Sequence, residues 1–338
     1  LERLGDECVG ALRFLGDEKS SYDPGYRPLQ DEDFEALSKA EVFEIANDMQ
    51  DSRLSLAGAQ SKTGWFLPRG KDAKKAGSGD WMLPLGSAPS THIVKIASTK
   101  HPDLPFNELI CMTAASAAGL EIARSEASDT IPGAFFSERY DRIWSNEPPS
   151  MSGFDVPLRL HQEDFCQAVG WPSYMKYETR PDSCYMALCG RLIREQSSNV
   201  IADTQMFARQ VMVDYALGNC DSHLKNHSFL YSPSWREKRL APAYDIVCTT
   251  IMGYDHNLGI DIGDHRVIDG VTPEDFEFMS QDLHLPLKMI KNIAAEVAEE
   301  VSAQLAELAS ATGDLGRVAL KIQTDSVERM RVLEQFSA

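Results

Sequence analysis

The spacing of apolar residues changes part-way along the chain. Between residues 52 and 140, short runs of alternating or continuous apolar residues predict strands, for example THIVKIAS at 91–98 and GAFFSERYD at 133–141. One helix is predicted among them, NELICMTAASAAGL at 107–120, with Asn107 as its N-cap. This pattern indicates a small β-rich region.

Beyond about residue 160, apolar residues recur every three to four positions, which is the period of an α-helix. A further acidic helix is predicted from DEDFEALSKAEVFEIANDMQ at 31–50, and the prolines of IWSNEPPSMSGFDVP at 143–157 predict a linker or insertion. The sequence therefore predicts an α+β fold of two lobes, an order that matches a two-lobed protein-kinase-like fold without by itself establishing one. The small β-rich N-terminal lobe would comprise residues 1–142, and the large helical C-terminal lobe residues 143–338.

Composition narrows the class of protein. With 338 residues, 43% hydrophobic and 25% charged, the chain has the make-up of a globular protein large enough for two domains. It contains no apolar run of about 18 residues, so no membrane-spanning segment is predicted. The net charge of −18 argues against strong direct binding of nucleic acid. Seven cysteines without a C-x-x-C pair predict reduced thiols in the core and a cytoplasmic location.

The stretch NCDSHLKN at 219–226 concentrates groups that ionise or hydrogen-bond between a predicted buried helix and a predicted strand. Protein kinases use a related loop, in which an Asp orients the substrate hydroxyl and a later Asn binds metal, as Asp221 and Asn226 would here. Lys225 could neutralise the transferring phosphoryl group, and His223 could brace the loop. A polar surface turn at the end of a helix is the alternative interpretation.

A second acidic residue favours the kinase interpretation. The stretch APAYDIVCTT contains Asp245, and a hairpin between the two motifs would bring Asp245 back next to Asn226. Kinase-like sites need such a carboxylate, on a strand beside the catalytic loop, to hold Mg²⁺ against the nucleotide phosphates. The alternative is a structural, salt-bridged Asp, because an unpaired buried charge is costly.

The predicted β-rich lobe offers groups that could bind a triphosphate. The stretch SLAGAQSKTG at 55–64 is rich in small residues, so its backbone N–H groups could approach phosphates closely. It is not a Walker A sequence, and a plain hairpin turn would also explain it. Lys95 could reach the phosphates or point into solvent, and Glu108 is placed to orient it. The backbone of residues 138–140 could meet the adenine edge.

Taken in order, these motifs resemble the HipA family of bacterial serine/threonine kinases, the toxins of toxin–antitoxin modules. The residues that carry the resemblance lie between about 53 and 247 and are RLSLAGAQSKT, THIVKI, LPFNE, SERYDR, RLHQEDFCQAVG, MKYE, NCDSHLKNHS and LAPAYDI. Each motif alone is weak, but the ordered set is specific. The resemblance implies a kinase fold that uses ATP and Mg²⁺.

The resemblance also implies roles for individual residues. Asp221 would be the catalytic base, and Asn226 and Asp245 would bind Mg²⁺. Ser55 matches the autophosphorylated serine of the family, whose added negative charge would expel the loop and switch the kinase off. The residues implied to bind the nucleotide are Ala57, Gly58, Ala59, Gln60, Ser61, Lys62, Lys95, Glu138, Arg139, Tyr140, His223, Lys225 and Tyr244.

The partners that the resemblance implies are an aminoacyl-tRNA synthetase as protein substrate and a small DNA-binding antitoxin with a helix-turn-helix fold. Only 54 residues precede Ser55, so the additional N-terminal subdomain of the family is expected to be truncated or to be a separate small protein. The stretch GIDIGDHRVIDG at 259–270 is acidic where relatives that contact DNA would need basic residues. DNA binding is therefore expected only through the antitoxin.

Two other functions would use the same fold. A small-molecule phosphotransferase would share this chemistry but would phosphorylate a metabolite and lack inhibition through Ser55. A catalytically inactive kinase fold could serve as a corepressor scaffold, but a scaffold need not retain Lys95, Asp221, Asn226 and Asp245 together. The sequence therefore favours a protein serine/threonine kinase.

Overall fold

The computed structural model of the chain describes residues 24–30, 33, 62–97, 101–131, 133–179 and 183–338. The predicted acidic helix at 31–50, apart from Asp33, and the predicted phosphate loop at 55–61 lie outside the described residues. The same holds for Cys8 and for the side chain of Lys62, whose backbone belongs to a strand.

The chain divides into two compact units. The first unit comprises Leu1–Pro105 and Ala123–Gln162, and the second comprises Phe106–Ile122 and Glu163–Ala338. Residues 143–162, which the predicted division gives to the second lobe, therefore pack with the first unit.

The first unit is built mainly from antiparallel strands. These are β1 Gly25–Pro28, β2 Lys62–Trp65, β3 Met82–Leu85, β4 His92–Ile96, β5 Ser125–Ala127 and β6 Ala134–Glu138. β1 pairs with β3, whereas β2, β4, β6 and β5 form a four-stranded sheet in that order. The strands predicted from THIVKIAS and GAFFSERYD are thus confirmed.

Successive side chains of β4 point to opposite faces of the four-stranded sheet. Val94 belongs to the core cluster of the unit, in which Trp81 stacks on Phe136 with ring centroids 4.5 Å apart. The neighbouring Lys95 points to the other face, where its Nζ lies 6.0 Å from the ring centroid of Phe135. Lys95 is only 3% exposed, so it does not point into solvent.

Of the linker or insertion predicted at 143–157, the linker is wrong, because this segment forms short hairpins within the first unit. Its strands are β7 Arg142–Ile143, β8 Ser150–Met151, β9 Phe154–Asp155 and β10 Leu158–Arg159. β7 pairs with β10, and β8 pairs with β9 across a turn in which Ser152 and Gly153 have positive φ angles of 53° and 83°. Phe154 anchors the hairpin, since its ring contacts those of Tyr26 and Phe66 at centroid distances of 5.9 and 5.8 Å.

The second unit is mainly helical, as its 3.6-residue periodicity predicts. Its helices are α1 Leu104–Ala117, which enters the unit at Phe106, α2 Phe165–Val169, α3 Tyr185–Gln196, α4 Val200–Leu217, α5 Asp275–Leu283, α6 Leu287–Ala309 and α7 Gly313–Ser337. α4 is buried along most of its length and packs against both α6 and α7. It is therefore the central helix of this unit.

The predicted N-cap role of Asn107 is wrong. α1 begins at Leu104, so Asn107 lies inside the helix. Its side-chain amide instead donates to the carbonyl of Cys248 at 2.9 Å and accepts from the N–H of Cys248 at 2.8 Å. Both bonds are buried, so Asn107 ties α1 to the segment that follows Asp245.

Two small sheets complete the second unit. Its strands are β11 Gln162–Asp164, which starts at the boundary between the units, β12 Ser228–Tyr231, β13 Lys238–Leu240, β14 Asn257–Ile262 and β15 His265–Val267. β11, β12 and β13 form a three-stranded sheet in that order, and β14 pairs with β15. The β12–β13 hairpin confirms the turn that was predicted between Asn226 and Asp245.

Six of the seven cysteines lie in the described residues, and all six are free thiols. Five are buried as predicted, but Cys184 is exposed, and its Sγ accepts a hydrogen bond from the N–H of Ala187 at the start of α3. No helix within the described part of the chain combines the length and the apolar character that crossing a membrane requires.

Candidate active site

The polar loop at 219–226 starts at a glycine that ends α4. Gly218 has a φ angle of +74°, and a Cβ atom there would lie 2.3 Å from Oγ1 of Thr250 and 2.7 Å from a guanidinium nitrogen of Arg329. A side chain at this position would be strained and would clash. Gly218 therefore lets the chain leave the helix within one residue, so that the polar loop follows directly.

A buried acid on the last turn of α4 holds the start of this loop. Asp214 is 3% exposed, and its carboxylate accepts hydrogen bonds from Nδ2 of Asn219 at 2.8 Å and from Oγ of Ser222 at 2.6 Å. Burial raises the pKa of Asp214 to about 7, although these two bonds act in the opposite direction. A cavity of about 20 Å³, which is roughly the space of one water molecule, adjoins these three side chains.

The carboxylate of Asp221 is accessible but oriented. Its side chain is 51% exposed, and the hydroxyl of Tyr177 donates to its Oδ1 at 2.5 Å. Nε2 of His223 lies 3.8 Å from the same oxygen. Burial lowers the pKa of His223 to about 4 against the attraction of Asp221, so the ring is neutral at pH 7. His223 thus braces the loop by packing rather than by charge.

Asn226 is buried at the end of a short 3₁₀ turn, and its Nδ2 donates to the backbone carbonyl of Asp221 at 2.7 Å. The same motif therefore fixes the predicted base and the predicted metal ligand relative to each other. Because the amide nitrogen is used in this way, the amide oxygen is the atom that a metal would use.

Asp245 follows the β12–β13 hairpin, but the prediction that it lies on a strand is wrong. It has a positive φ angle of 60° in irregular backbone. The preceding Tyr244 ties this backbone to the loop, since its hydroxyl donates to the carbonyl of Lys225 at 2.7 Å and lies 2.7 Å from Oγ of Ser228. The negative charge of Asp245 partly opposes the burial that lowers the pKa of His223.

Lys225 has a partner that the sequence interpretation missed. Its Nζ lies 2.6 Å from Oδ2 of Asp164, and the other carboxylate oxygen of Asp164 accepts from the N–H of Gln167 at 2.8 Å. The side chain of Gln167 in turn accepts from the N–H of Asp164, which completes a capping box at the start of α2. An Asp followed three residues later by a Gln, before an apolar run, is the pattern that could have identified this cap.

In the first unit, two of the residues predicted to meet the adenine edge are held by hydrogen bonds within the fold. Arg139 is buried, and its guanidinium forms two bonds with Asp141, of 2.9 and 2.7 Å, so this side chain serves the fold. The N–H groups of Glu138 and Arg139 donate to the carbonyls of Arg124 and Thr91. Neither N–H can therefore donate to an adenine ring.

The side chains of Glu138 and Lys95 lie on opposite faces of the four-stranded sheet. The register pairs Lys95 with Phe135, three residues before Glu138, and side chains alternate along β6. Glu138 lines a cleft of about 380 Å³ together with Arg124 and Trp144. A nucleotide contact by Glu138 is therefore expected from its backbone carbonyl only.

Two further residues that the sequence interpretation did not single out position the loop. Tyr177 belongs to the MKYE motif and contacts Asp221 directly. Gly259 lies on β14 so close to the loop that a Cβ atom there would be 2.6 Å from the carbonyl oxygen of Ser222. An isolated glycine in a strand pattern indicates such a close backbone approach, so Gly259 could have been found from the sequence.

The residues present fit a hard divalent cation, because Asn226 and Asp245 offer an amide and a carboxylate oxygen near the same loop. Oxygen ligands of this kind, few in number and completed by phosphates and water, are typical of Mg²⁺ in kinase sites.

Comparison with known proteins identifies the family. A model of the HipA-like C-terminal domain family matches residues 54–305, which is more than half of the chain. The chain belongs to this family.

Individual relatives extend the match to most of the chain. The Sinorhizobium fredii protein Y4mE, classed by name as a candidate kinase, is 28% identical over 326 residues, covering 93% of this chain and 73% of the relative. The serine/threonine-protein kinase toxin HipA of Shewanella oneidensis is 26% identical over 326 residues, covering 91% and 70%. The predicted resemblance to HipA is thus confirmed.

The fold is confirmed by a solved structure. HipA from a Shewanella oneidensis MR-1 complex of HipA, HipB and operator DNA matches 99% of this chain and 79% of its own chain, with a TM-score of 0.74 and 23% identity. At this identity the match concerns the fold alone. The predicted α+β, protein-kinase-like fold is therefore correct.

Proposed function

We propose that this HipA-like chain is an ATP-dependent kinase that transfers the γ-phosphoryl group to a serine or threonine hydroxyl of a protein. The observation that carries the proposal is the exposed Asp221 carboxylate, whose own backbone carbonyl is bonded to the buried Asn226. A polar surface turn, the alternative interpretation of this loop, would not require an exposed acid whose backbone is hydrogen-bonded to a buried amide. The names of the relatives, which include a serine/threonine-protein kinase toxin, support the same activity.

In this mechanism Asp221 accepts the proton of the acceptor hydroxyl as that oxygen forms its bond to the γ-phosphorus and ADP leaves. Asn226 and Asp245 would hold Mg²⁺ through their side-chain oxygens. When bound, Mg²⁺ would withdraw charge from the β- and γ-phosphates. Lys95, buried on its strand, would neutralise further negative charge, so most of the catalysis is positioning and electrostatics.

The nucleotide would also contact the backbone from Ala57 to Lys62, the segment 138–140, and the loop residues His223, Lys225 and Tyr244. The ion pair between Lys225 and Asp164 sets a condition on this role. Lys225 can neutralise a phosphate only when its ammonium group no longer pairs with the carboxylate of Asp164. Competition between the phosphate and Asp164 would then tune the affinity for ATP.

We further propose that the chain acts as the toxin of a toxin–antitoxin module, with an aminoacyl-tRNA synthetase as the protein substrate and Ser55 as a site of inactivating self-phosphorylation. Its antitoxin would carry the DNA contact, because a net charge of −18 disfavours direct binding to DNA. The related HipA was solved together with HipB and operator DNA, which supports such a partnership.

Incubation of the purified chain with Mg²⁺ and ATP, followed by mass spectrometry of the intact protein and its peptides, tests the proposal. We expect phosphate on a serine of the wild type, at Ser55, and none in Asp221→Asn. Asp314→Asn, which removes an exposed carboxylate at the start of α7, should label like the wild type. Consumption of ATP without any phosphoprotein would instead indicate a small-molecule phosphotransferase, and ATP binding without consumption would indicate a scaffold.

A further inference from the structure

The segment before α3 reaches the proposed catalytic residue through Tyr177. The hydroxyl of Tyr177 donates to Oδ1 of Asp221 at 2.5 Å, across 44 positions of sequence. Within the described residues, Oδ2 of Asp221 accepts no hydrogen bond. One oxygen of this carboxylate therefore accepts from the phenol, in a side chain that is 51% exposed.

The backbone on both sides of Tyr177 is fixed. The carbonyl of Lys176 accepts from the N–H of Leu224, inside the loop, at 3.2 Å. The N–H of Glu178 donates to the carbonyl of Gly259 at 3.0 Å. The buried Glu178 carboxylate accepts from the N–H groups of Tyr185 and Asp261, at the start of α3 and on β14.

The ring of Tyr177 is fixed as well. It packs edge-on against the ring of His223 with centroids 4.9 Å apart, and Nζ of Lys176 lies 4.7 Å from its centroid. Partial burial and the neighbouring negative charge of Asp221 raise the pKa of Tyr177, so its hydroxyl stays protonated at neutral pH. Tyr177 is therefore a permanent neutral donor.

We propose that Tyr177 is a positioning residue for the phosphoryl transfer, which holds Asp221 by Oδ1 so that Oδ2 is presented to the acceptor hydroxyl. This inference rests on the proposed kinase function. An exposed Asp side chain would otherwise sample several rotamers, of which only some aim an oxygen at the acceptor. A short bond to an ionised oxygen is among the stronger hydrogen bonds, so it can select one rotamer.

The contact has a second interpretation with the opposite consequence. The Tyr177 hydroxyl could occupy the place of the acceptor hydroxyl, and it would then inhibit the transfer. Two observations favour positioning. The backbone around Tyr177 is bonded to α3, to β14 and to the loop itself, whereas a removable inhibitor needs a segment that can leave. The phenol also bonds only one oxygen of a carboxylate whose side chain is 51% exposed.

Tyr177→Phe tests the inference because it keeps the ring against His223 and removes only the donor. Tyr231→Phe is the matched control, since the Tyr231 hydroxyl makes an equally short bond of 2.5 Å to a carboxylate, that of Glu163, elsewhere in the same unit. The rate of phosphate incorporation in a single turnover is measured against the concentration of Mg·ATP, which separates the maximal rate from the apparent KM for ATP. Thermal melting of each variant verifies folding.

We expect Tyr177→Phe to lower the maximal rate about ten- to a hundredfold without changing the apparent KM, as a misplaced catalytic group does. Tyr231→Phe should stay within about twofold of the wild type. Tyr177→4-aminophenylalanine restores an N–H donor and should recover part of the rate.

An unchanged or a raised maximal rate in Tyr177→Phe would overturn the positioning role while leaving the kinase proposal intact. An equal loss in Tyr177→Phe and Tyr231→Phe would assign the effect to stability and would also overturn it. Absence of any incorporation by the wild type is a different result, which overturns the proposed function together with this inference.

Discussion

The side-chain amide of Asn226 donates a 2.7 Å hydrogen bond to the backbone carbonyl of Asp221. The bond closes the loop on itself, so the two residues cannot move independently. The proposed base and the proposed metal ligand thus form one rigid unit. Asp214, on the last turn of α4, holds the same loop through its bonds to Asn219 and Ser222. Such preorganisation is what phosphoryl transfer requires of a protein that does little covalent chemistry.

Substitution of the two acids of the site should affect different steps, the binding of Mg·ATP in one variant and the phosphoryl transfer in the other. Asp245→Asn is expected to weaken the binding of Mg·ATP, because it removes a charged oxygen ligand. Asp221→Asn should leave binding nearly unchanged and stop the transfer, because it removes only the proton acceptor. Titration of both variants with a fluorescent ATP analogue, in the presence of Mg²⁺, measures the difference. Equal losses of affinity would contradict this division of roles.

Gly259 should tolerate no side chain. In Gly259→Ala the new Cβ would be 2.6 Å from the carbonyl oxygen of Ser222, so either β14 or the polar loop at 219–226 must shift. We expect a loss of about 1–3 kcal/mol in the free energy of unfolding and a reduced rate of phosphate incorporation. Gly79→Ala is the control, since nothing lies within 4 Å of a Cβ at that position. Equal thermal melting of the two variants would refute the close approach.

The buried Asp214 should make stability depend on pH. Its pKa rises from 3.8 to about 7 on folding, so between about pH 4 and 7 the folded protein retains a proton that the unfolded chain has lost. The contribution of Asp214 is therefore fully present below about pH 4 and is lost as the pH rises through 7.

Asp214→Asn removes this titration. Relative to that variant, the wild type should lose roughly 1–3 kcal/mol of unfolding free energy between pH 5 and pH 8. Urea denaturation at the two pH values measures the change. The buried His227, whose pKa burial lowers to about 3, contributes the opposite dependence in both proteins and cancels in the difference. A difference between the two proteins that does not vary with pH would contradict the burial of a neutral acid.

The ion pair of Lys225 and Asp164 should restrain the binding of nucleotide. Asp164→Asn keeps an oxygen that can cap α2 but removes the negative charge, so Lys225 becomes fully available to phosphate. We expect the affinity for Mg·ATP to rise about two- to fivefold, which corresponds to the modest energy of a partly exposed pair. Lys225→Met should lower it. If Lys225→Met reduced only the melting temperature, the pair would be structural and Lys225 would not bind the nucleotide.

Much of the fold could be predicted from local pattern. Each helix or strand buries one face, and the buried positions are visible in the order of apolar and polar residues. This order predicted the 3.6-residue period of α3 to α7 and the apolar runs of β4 and β6. The segment 143–157 was misjudged because its short hairpins bury few apolar side chains within themselves. They are fixed instead by the rings of Tyr26 and Phe66, both of which lie far away in sequence.

The sequence by itself determined the family, the order of elements and the types of residue that carry the proposed chemistry, since motifs and periodicity are local properties of a chain. Only the tertiary structure joined Tyr177 to Asp221 and Asp164 to Lys225, which are 44 and 61 residues apart, and turned Asn107 from a cap into a buried tie to Cys248. A hydrogen bond between distant residues depends on how whole segments pack, and no spacing along the chain encodes that distance.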